Sequence, residues 1–174
     1  MALGVAFGAI PGRPPADLRC AKGTFMANRT ESSTQVDAAP VDVLSVIADF
    51  EAYPQWAGAV KETEVLAKGP DGRASRVRFS LDAGMLKDTY SLDYVWDVSP
   101  DGAGTVRWTL AEPATVLKAL DGSYSLDGAP LGPTTVSYQL TVDVKIPMLG
   151  ALKRKAEQGI IDTALRELKK RVEG

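Results

Sequence analysis

Histidine is absent from the 174 residues of this chain. Its absence excludes Ser-His-Asp and Cys-His catalysis and every metal site that depends on imidazole. It also removes the commonest general base near neutral pH. Any chemistry therefore falls to Asp, Glu, Lys, Arg, Tyr, Ser or Thr, and we predict neither a cofactor nor a metal site.

Cysteine, positive charge and long apolar runs are also scarce. Cys20 is the only cysteine, so no intramolecular disulfide can form, which is typical of a reducing compartment. The formal net charge of −2 leaves no basic excess for nucleic acid phosphates. No apolar run approaches the roughly 20 residues of a membrane span. These deficits predict a cytoplasmic protein with no nucleic acid partner and no stable membrane insertion, and they leave its oligomeric state open.

The first 26 residues differ from the rest, because they follow neither a helical nor a strand period. An apolar run at residues 2–10 lacks the positively charged start of a secretory signal. Three interpretations stay open: a disordered tail, an atypical targeting segment, or upstream sequence from a misassigned start, with Met26 as the natural beginning. We predict that residues 1–26 are an extension that adds nothing to the core. Residues 27–174 are then long enough for a single domain with its own core.

Residues 30–56 predict a first strand followed by short helical segments. Pro40 suits the first turn of a helix, where its missing donor is tolerated, and Val43, Leu44 and Ile47 then share one apolar face. Pro54 is expected to end any continuation of this helix and to hold the preceding residue, Tyr53, in an extended conformation.

From residue 60 the apolar period changes to two, which indicates strands. Six of them are predicted in succession, near residues 60–67, 75–81, 90–97, 105–110, 116–126 and 136–146, with turns between them. Gly122 in the fifth suggests a bulge or a bend. Aromatic residues alternate with Arg76, Arg78 and Arg107, which therefore point to solvent. The pattern predicts an antiparallel meander with one solvent-exposed face and one apolar, concave face.

A long helix is predicted from Pro147 onwards, because apolar residues recur every four positions. These are Met148, Leu152, Ala156, Ile160, Ala164, Leu168 and Val172. The helix should bury this stripe against the sheet. The opposite face is expected to be solvated and not membrane-bound, since acidic residues, Glu157 and Glu167 among them, interrupt its basic ones.

The order of these elements resembles the START-like helix-grip superfamily (SRPBCC). The sequences DFEAYPQW after the first helix and VKIPMLGALKRKAE at the start of the last are most similar to the bacterial polyketide cyclase/dehydrase and lipid transport family. The resemblance covers about residues 30–173. It implies an α+β helix-grip fold of the START/Bet v 1 type: a curved antiparallel sheet of about seven strands wrapped around a long carboxyl-terminal helix, with two short helices after the first strand. It also implies an apolar cavity between sheet and helix.

The predicted ligand-binding residues are the inward side chains of the sheet, the aromatic pair after the first helix and the apolar stripe of the last helix. They are Tyr53, Trp56, Phe79, Leu81, Tyr90, Leu92, Tyr94, Trp96, Trp108, Leu110, Tyr124, Tyr138, Met148, Leu152, Ala156 and Ile160. Each taken singly is explained as well by core packing as by ligand contact. Asp82, Lys87 and Asp88 lie near a turn and are interpreted as surface charges in preference to an entrance lining.

No catalytic residue is predicted, because a tyrosine with an ordinary pKa of about 10 is a poor base near neutrality. We therefore expect binding, and transport, of a small hydrophobic molecule such as a lipid, a polyketide or an isoprenoid-like compound. Two alternatives stay open: a polyketide cyclase/aromatase, and a protein-interaction module whose cavity is filled by its own side chains.

Overall fold

The computed structural model describes residues 29–83, 86–147 and 150–174, so the predicted extension over residues 1–26 lies outside the described residues. The elements follow in the order β1 (Thr30–Val36), α1 (Pro40–Ala48), a 3₁₀ turn (Phe50–Ala52), α2 (Tyr53–Trp56), β2 (Val60–Lys68), β3 (Ala74–Ala83), β4 (Leu86–Val98), β5 (Gly104–Leu110), β6 (Leu117–Gly128), β7 (Thr134–Val144) and α3 (Gly150–Glu173). The predicted α+β helix-grip fold is confirmed, with six consecutive strands between the short helices and the long one.

The seven strands form one antiparallel sheet in the order β1-β7-β6-β5-β4-β3-β2. Strands β2 to β6 each pair with the next strand in sequence, while β1 joins the far edge by pairing with β7. This register brings the large aromatic residues of neighbouring strands face to face. Tyr94 lies opposite Trp108, and Tyr124 lies opposite Tyr138.

The core lies between the inner face of the sheet and a helical layer. α1 buries Val43, Leu44 and Ile47, and α3 buries Ile161, Leu165 and Leu168. Burying a side chain of this size stabilises the fold by roughly 1.5–3 kcal/mol each. None of the helices in the described part of the chain combines the length and the apolar character needed to span a membrane.

The prediction for Pro54 is wrong. α1 ends at Ala48, and Pro54 is the second residue of the separate helix α2, while Tyr53 is helical, with φ −52° and ψ −43°. A proline in the first turn removes no helical hydrogen bond, because that amide has no partner there. Tyr53 keeps this conformation through its ring, which stacks on Phe50 with centroids 5.4 Å apart, and through its hydroxyl, which donates to the Ile47 carbonyl at 2.9 Å.

The prediction for the charged face of the last helix is also wrong at Glu157. This carboxylate is only 1% exposed and accepts hydrogen bonds from the Thr30 hydroxyl at 2.7 Å and from the Val142 amide at 2.8 Å. Leu152, predicted to be buried, is 55% exposed. The buried stripe of α3 is therefore rotated towards Glu157 and Ile161, away from the strict four-residue repeat that runs through Leu152.

Asp88 is likewise buried, and its interpretation as a surface charge is wrong. Its two carboxylate oxygens accept hydrogen bonds from the amides of Thr89, Thr115, Val116 and Leu117 at 2.8–3.1 Å. Asp88 therefore ties the beginning of β4 to the segment that leads into β6. Asp82 and Lys87 are cross-strand neighbours on β3 and β4 and form an ion pair at 2.9 Å.

Candidate functional site

A cavity of about 400 Å³ lies between the inner face of the sheet and α3. This volume falls within the range of small-molecule sites. Its wall is largely aromatic and aliphatic, and it is formed by Tyr53, Trp56, Ala57, Ala59, Val60, Phe79, Leu81, Ala83, Tyr90, Leu92, Trp108, Leu117, Leu120, Tyr124, Tyr138, Leu140, Val142, Ala156, Gly159, Ile160, Thr163, Ala164 and Glu167. Of the predicted ligand-binding residues, eleven lie on this wall, and their contact with a ligand stays a prediction.

The cavity opens to solvent beside the amino-terminal half of α3. Ala156, Gly159 and Ile160 line the cavity and are nevertheless exposed, with Ile160 at 38%. Further along the same helix, Ile161 and Leu165 are buried against the sheet. A molecule can therefore enter beside residues 156–160, while the second half of the helix closes the far end.

Two predicted wall residues of β4, Tyr94 and Trp96, do not line the cavity. Tyr90 and Leu92 on the same face of that strand do. The two halves of the strand differ because the second half lies beneath the short helices. The Phe50 ring meets Tyr94 edge-on at 4.9 Å and Trp96 at 6.3 Å, and the Trp96 indole donates to the Ala74 carbonyl at 2.7 Å. These rings are a packed aromatic layer beneath the helices.

Two other predicted residues do not line the cavity, and a third is not among the described residues. Leu110 packs on the core at the end of β5 without lining the cavity, and Leu152 lies on the exposed surface of α3. Met148 lies outside the described residues. The predicted cavity wall therefore extends too far towards the beginning of α3 and towards the end of β4.

The aromatic pair after α1 lies at the rim, between α2, the sheet and α3. The rings of Tyr53 and Trp56 are 4.7 Å apart, and Tyr53 also meets Phe79 of β3 at 5.9 Å. The Trp56 indole nitrogen is buried without a hydrogen-bond partner among the described residues. Both side chains line the cavity, and Tyr53 joins α2 to the sheet through its contact with Phe79.

Trp108 is the centre of the sheet side of the site. Its ring lies 5.2 Å from Tyr124 and 5.5 Å from Tyr138, and these two tyrosine rings are 4.5 Å apart. Gly122, the cross-strand partner of Trp108, pairs regularly with both neighbouring strands, so of the two predicted features the bulge is absent. A Cβ atom at Gly122 would overlap the indole ring. The glycine therefore makes room for the tryptophan to lie flat on the strand.

Sequence reasoning missed several wall residues, of which Glu167 is the only charged one. The signal was present, since Ile160, Thr163 and Glu167 follow the i, i+3, i+7 spacing of one helical face. Glu167 is half-buried, and its carboxylate accepts a hydrogen bond from the Gly58 amide at 3.3 Å. Leu140 and Val142 were also missed, although they alternate with Tyr138 on the inner face of β7.

The phenols on the wall are neutral hydrogen-bonding groups. Burial raises the pKa of Tyr90, Tyr124 and Tyr138 well above the ordinary value, and for Tyr138 the neighbouring Tyr124 and Tyr90 add to this effect. A phenol whose pKa is raised can donate or accept a hydrogen bond but cannot act as a base near neutral pH.

Comparison with solved structures places the same fold in several proteins. A START superfamily protein from Mycobacterium smegmatis is 23% identical, with a TM-score of 0.75, and the match covers 83% of this chain and 97% of that one. A protein from Thermus thermophilus is 22% identical, with a TM-score of 0.67 and coverages of 83% and 96%. The Zhui aromatase/cyclase from Streptomyces sp. R1128 is 16% identical, with a TM-score of 0.63 and coverages of 83% and 93%. At these identities the likeness establishes the fold alone.

Comparison of the sequence with family models identifies the family. No curated protein matches it significantly. The model of one family, described as polyketide cyclase / dehydrase and lipid transport, matches residues 27–173, which is nearly the whole of the described chain. With its seven-stranded sheet, long last helix and apolar cavity, the chain belongs to the polyketide cyclase / dehydrase and lipid transport family.

Proposed function

We propose that this protein binds a small, largely apolar molecule in the cavity between the sheet and α3, and carries it between partners or compartments. The observation that carries the proposal is the cavity of about 400 Å³ inside a domain of this size. Close-packed interiors leave few voids larger than a water molecule, so an apolar space of this volume favours a ligand. Lipids, isoprenoid-like compounds and polyketides are the ligand classes of suitable size and polarity.

The mouth beside residues 156–160 supports a carrier. An exposed rim that includes the small residues Ala156 and Gly159 lets a ligand enter and leave without unfolding of the core, which is sealed by Ile161, Leu165 and Leu168. The same cavity argues against the interaction-module alternative, in which the protein's own side chains fill the space.

A pair of variants on α3 tests the proposal. The neutral dye N-phenyl-1-naphthylamine fluoresces on entering apolar sites, and we expect the purified protein to bind it. Ala156 lies on the cavity wall at the mouth, so Ala156→Trp should block the dye. Ala151 is exposed on the same helix away from the wall, so Ala151→Trp is the matched control and should leave dye binding intact.

Native mass spectrometry of freshly purified protein gives an independent measurement. A reproducible co-purifying apolar mass that is absent from Ala156→Trp supports the proposal and identifies the chemical class. Failure of the unmodified protein to bind the dye, together with a bare protein mass, would overturn it.

Ring closure of a polyketide is the second candidate function, and it is favoured by one residue, Glu167. An aldol cyclisation needs a proton acceptor, and Glu167 is the only carboxylate among the described wall residues. The Zhui aromatase/cyclase shares the fold. This candidate predicts that the protein converts a linear poly-β-ketone mimic into a cyclic product and that Glu167→Gln loses the conversion. Binding of the mimic without any product would leave the carrier function alone.

A further inference from the structure

Three tyrosine hydroxyls on the cavity wall have no hydrogen-bond partner in the described part of the chain: those of Tyr90, Tyr124 and Tyr138. They come from three strands of the same inner face, with Tyr124 directly opposite Tyr138. Trp56 Nε1 is the one unpartnered side-chain nitrogen or oxygen that is completely enclosed among the described residues. The three hydroxyl oxygens are therefore still accessible, and all three side chains line the cavity.

Other polar atoms of the aromatic cluster are satisfied within the protein. The Tyr53 hydroxyl donates to the Ile47 carbonyl, and the Trp96 indole donates to the Ala74 carbonyl. Polar groups in apolar surroundings are nearly always paired in native proteins. Three unpaired phenols on one apolar wall are therefore typical of a surface that a ligand completes.

The charges on the wall limit that ligand further. No lysine or arginine is among the described residues that line the cavity, and the one charged residue there, Glu167, is acidic. An anion in the cavity would lose its hydration without gaining a cationic partner, which is strongly unfavourable. The cavity therefore disfavours ligands that carry a carboxylate or a phosphate group.

We infer that the cavity selects an uncharged, largely apolar molecule that carries carbonyl oxygens, which accept hydrogen bonds from Tyr90, Tyr124 and Tyr138. This inference rests on the proposed function, because it names the class of molecule that the same cavity takes. A pure hydrocarbon leaves the three donors unpaired, and a fatty acid brings a carboxylate for which the wall has no counter-charge. A ketone or quinone has acceptor oxygens without charge.

Three naphthalene derivatives of similar shape separate these possibilities: 2-acetylnaphthalene, which has a carbonyl, 2-ethylnaphthalene, which is a hydrocarbon, and 2-naphthoate, which is an anion. Each is titrated against the bound dye in the unmodified protein and in the triple variant Tyr90→Phe, Tyr124→Phe, Tyr138→Phe. Comparing each probe between the two proteins cancels the difference in hydration between the probes.

We expect the triple variant to bind 2-acetylnaphthalene about 5-fold more weakly, as for the loss of one neutral hydrogen bond, and the three single variants to show which hydroxyl is used. Binding of 2-ethylnaphthalene should be unchanged or tighter, and 2-naphthoate should displace the dye poorly from every variant. Tyr94→Phe is the matched control, since the Tyr94 hydroxyl also has no partner in the described part of the chain but does not line the cavity.

Equal binding of the ketone by the triple variant and the unmodified protein would overturn the inference, and so would strong displacement by 2-naphthoate. Neither result affects the proposed function, which fails only if the dye is not bound and no apolar mass co-purifies. Thermal unfolding adds a second measurement. Because the hydroxyls have no partner in the free protein, the triple variant should be at least as stable as the parent, and a lower Tm would mean that the hydroxyls pair within the protein.

Discussion

The single residue Trp108 is part of both the core and the cavity wall. It is 6% exposed, packs against Tyr94, Tyr124 and Tyr138, and lines the cavity. Its position depends on the neighbouring strand, where Gly122 has no side chain to displace the indole. The ligand wall and the core are therefore continuous at this residue.

Replacing Gly122 should be costly for this reason. The Cβ atom of Gly122→Ala would overlap a ring carbon of Trp108, so the indole must shift in a packed environment. Overpacking of this kind costs about 1–3 kcal/mol. We expect a decrease of that size in the free energy of unfolding, measured by urea denaturation.

Gly159→Ala is the control for this substitution. Gly159 lies in the interior of α3, and a Cβ atom there has nothing within 4 Å. Because glycine is unfavourable in a helix by about 1 kcal/mol relative to alanine, this variant should be more stable than the parent. Equal effects of the two substitutions would contradict the steric explanation for Gly122.

The pairing of Trp108 with Gly122 is not predictable from the sequence. The alternating pattern indicates which residues share a face, but the cross-strand partner depends on the register between β5 and β6. The segment 111–116 between the two strands is irregular, and the Asp88 carboxylate holds its end, which no local pattern reveals. From the sequence alone, Gly122 therefore indicates only a bulge or a bend.

At the scale of elements, Asp88 fixes how the segment between β5 and β6 lies against β4. Burial alone would raise the pKa of this carboxyl, but the hydrogen bonds from Leu117, Val116, Thr115 and Thr89 together hold the pKa below its usual value. A group whose pKa is lowered in the folded state stabilises the fold above the unfolded pKa of about 3.9. This stabilisation is lost as the pH falls through the folded pKa.

Asp88→Asn should therefore destabilise the protein at neutral pH. The amide group would present a donor where backbone amides already donate, at a cost of about 2–3 kcal/mol at pH 7. The difference from the parent should narrow progressively below about pH 4, because the parent carboxylate becomes protonated there. Urea denaturation across this pH range measures both effects.

Asp93→Asn is the matched control. Asp93 pairs with Arg76 on the outer face of the sheet, where both side chains are exposed to solvent. Surface ion pairs contribute about 0–1 kcal/mol, so this variant should remain close to the parent at pH 7. A loss as large as that of Asp88→Asn would show that the buried hydrogen bonds are not the cause.

Strand periodicity predicts which face of the sheet a residue lies on better than it predicts whether that residue reaches the cavity. The alternation in β4 correctly assigns Tyr90, Leu92, Tyr94 and Trp96 to one face, but only the first two reach the cavity. The difference depends on Phe50, which covers the end of the strand and belongs to a segment more than 40 residues earlier in the chain. Such tertiary cover has no signature in the strand itself.

For the whole molecule, the decisive contact is the one between the sheet and α3. Glu157 accepts one hydrogen bond from β1 and one from β7, so a single side chain holds the helical layer on two strands. Glu157→Ala would leave the Val142 amide buried and unpaired, and we expect a loss of about 2–4 kcal/mol in unfolding free energy. Glu157→Gln keeps an acceptor for that amide and should cost less.

Asp162→Ala on the exposed face of α3 should change the stability by less than about 0.5 kcal/mol. Equal losses for Asp162→Ala and Glu157→Ala in chemical denaturation would argue against a special role of the buried carboxylate. The comparison also distinguishes loss of the contact between α3 and the sheet from the general effect of removing a negative charge from the helix.

The sequence is sufficient to predict the architecture, because six alternating strands and a long amphipathic helix admit few arrangements. It also places eleven of the sixteen predicted wall residues on the cavity. The sequence is insufficient where distant segments set the environment of a residue. Glu157 follows the pattern of an exposed charge on a helix, but its carboxylate accepts a hydrogen bond from Thr30, 127 positions away.

The pairing of β1 with β7 has a consequence for synthesis. Thr30 pairs with Leu140, so the first strand has no neighbour in the sheet until the seventh has been made. Strands β2 to β7 can associate locally as they emerge, since each pairs with the next, but closing so distant a contact is slow. On the ribosome, the part of the apolar inner face that α3 covers therefore stays exposed until residues 150–173 have been translated and can pack against it.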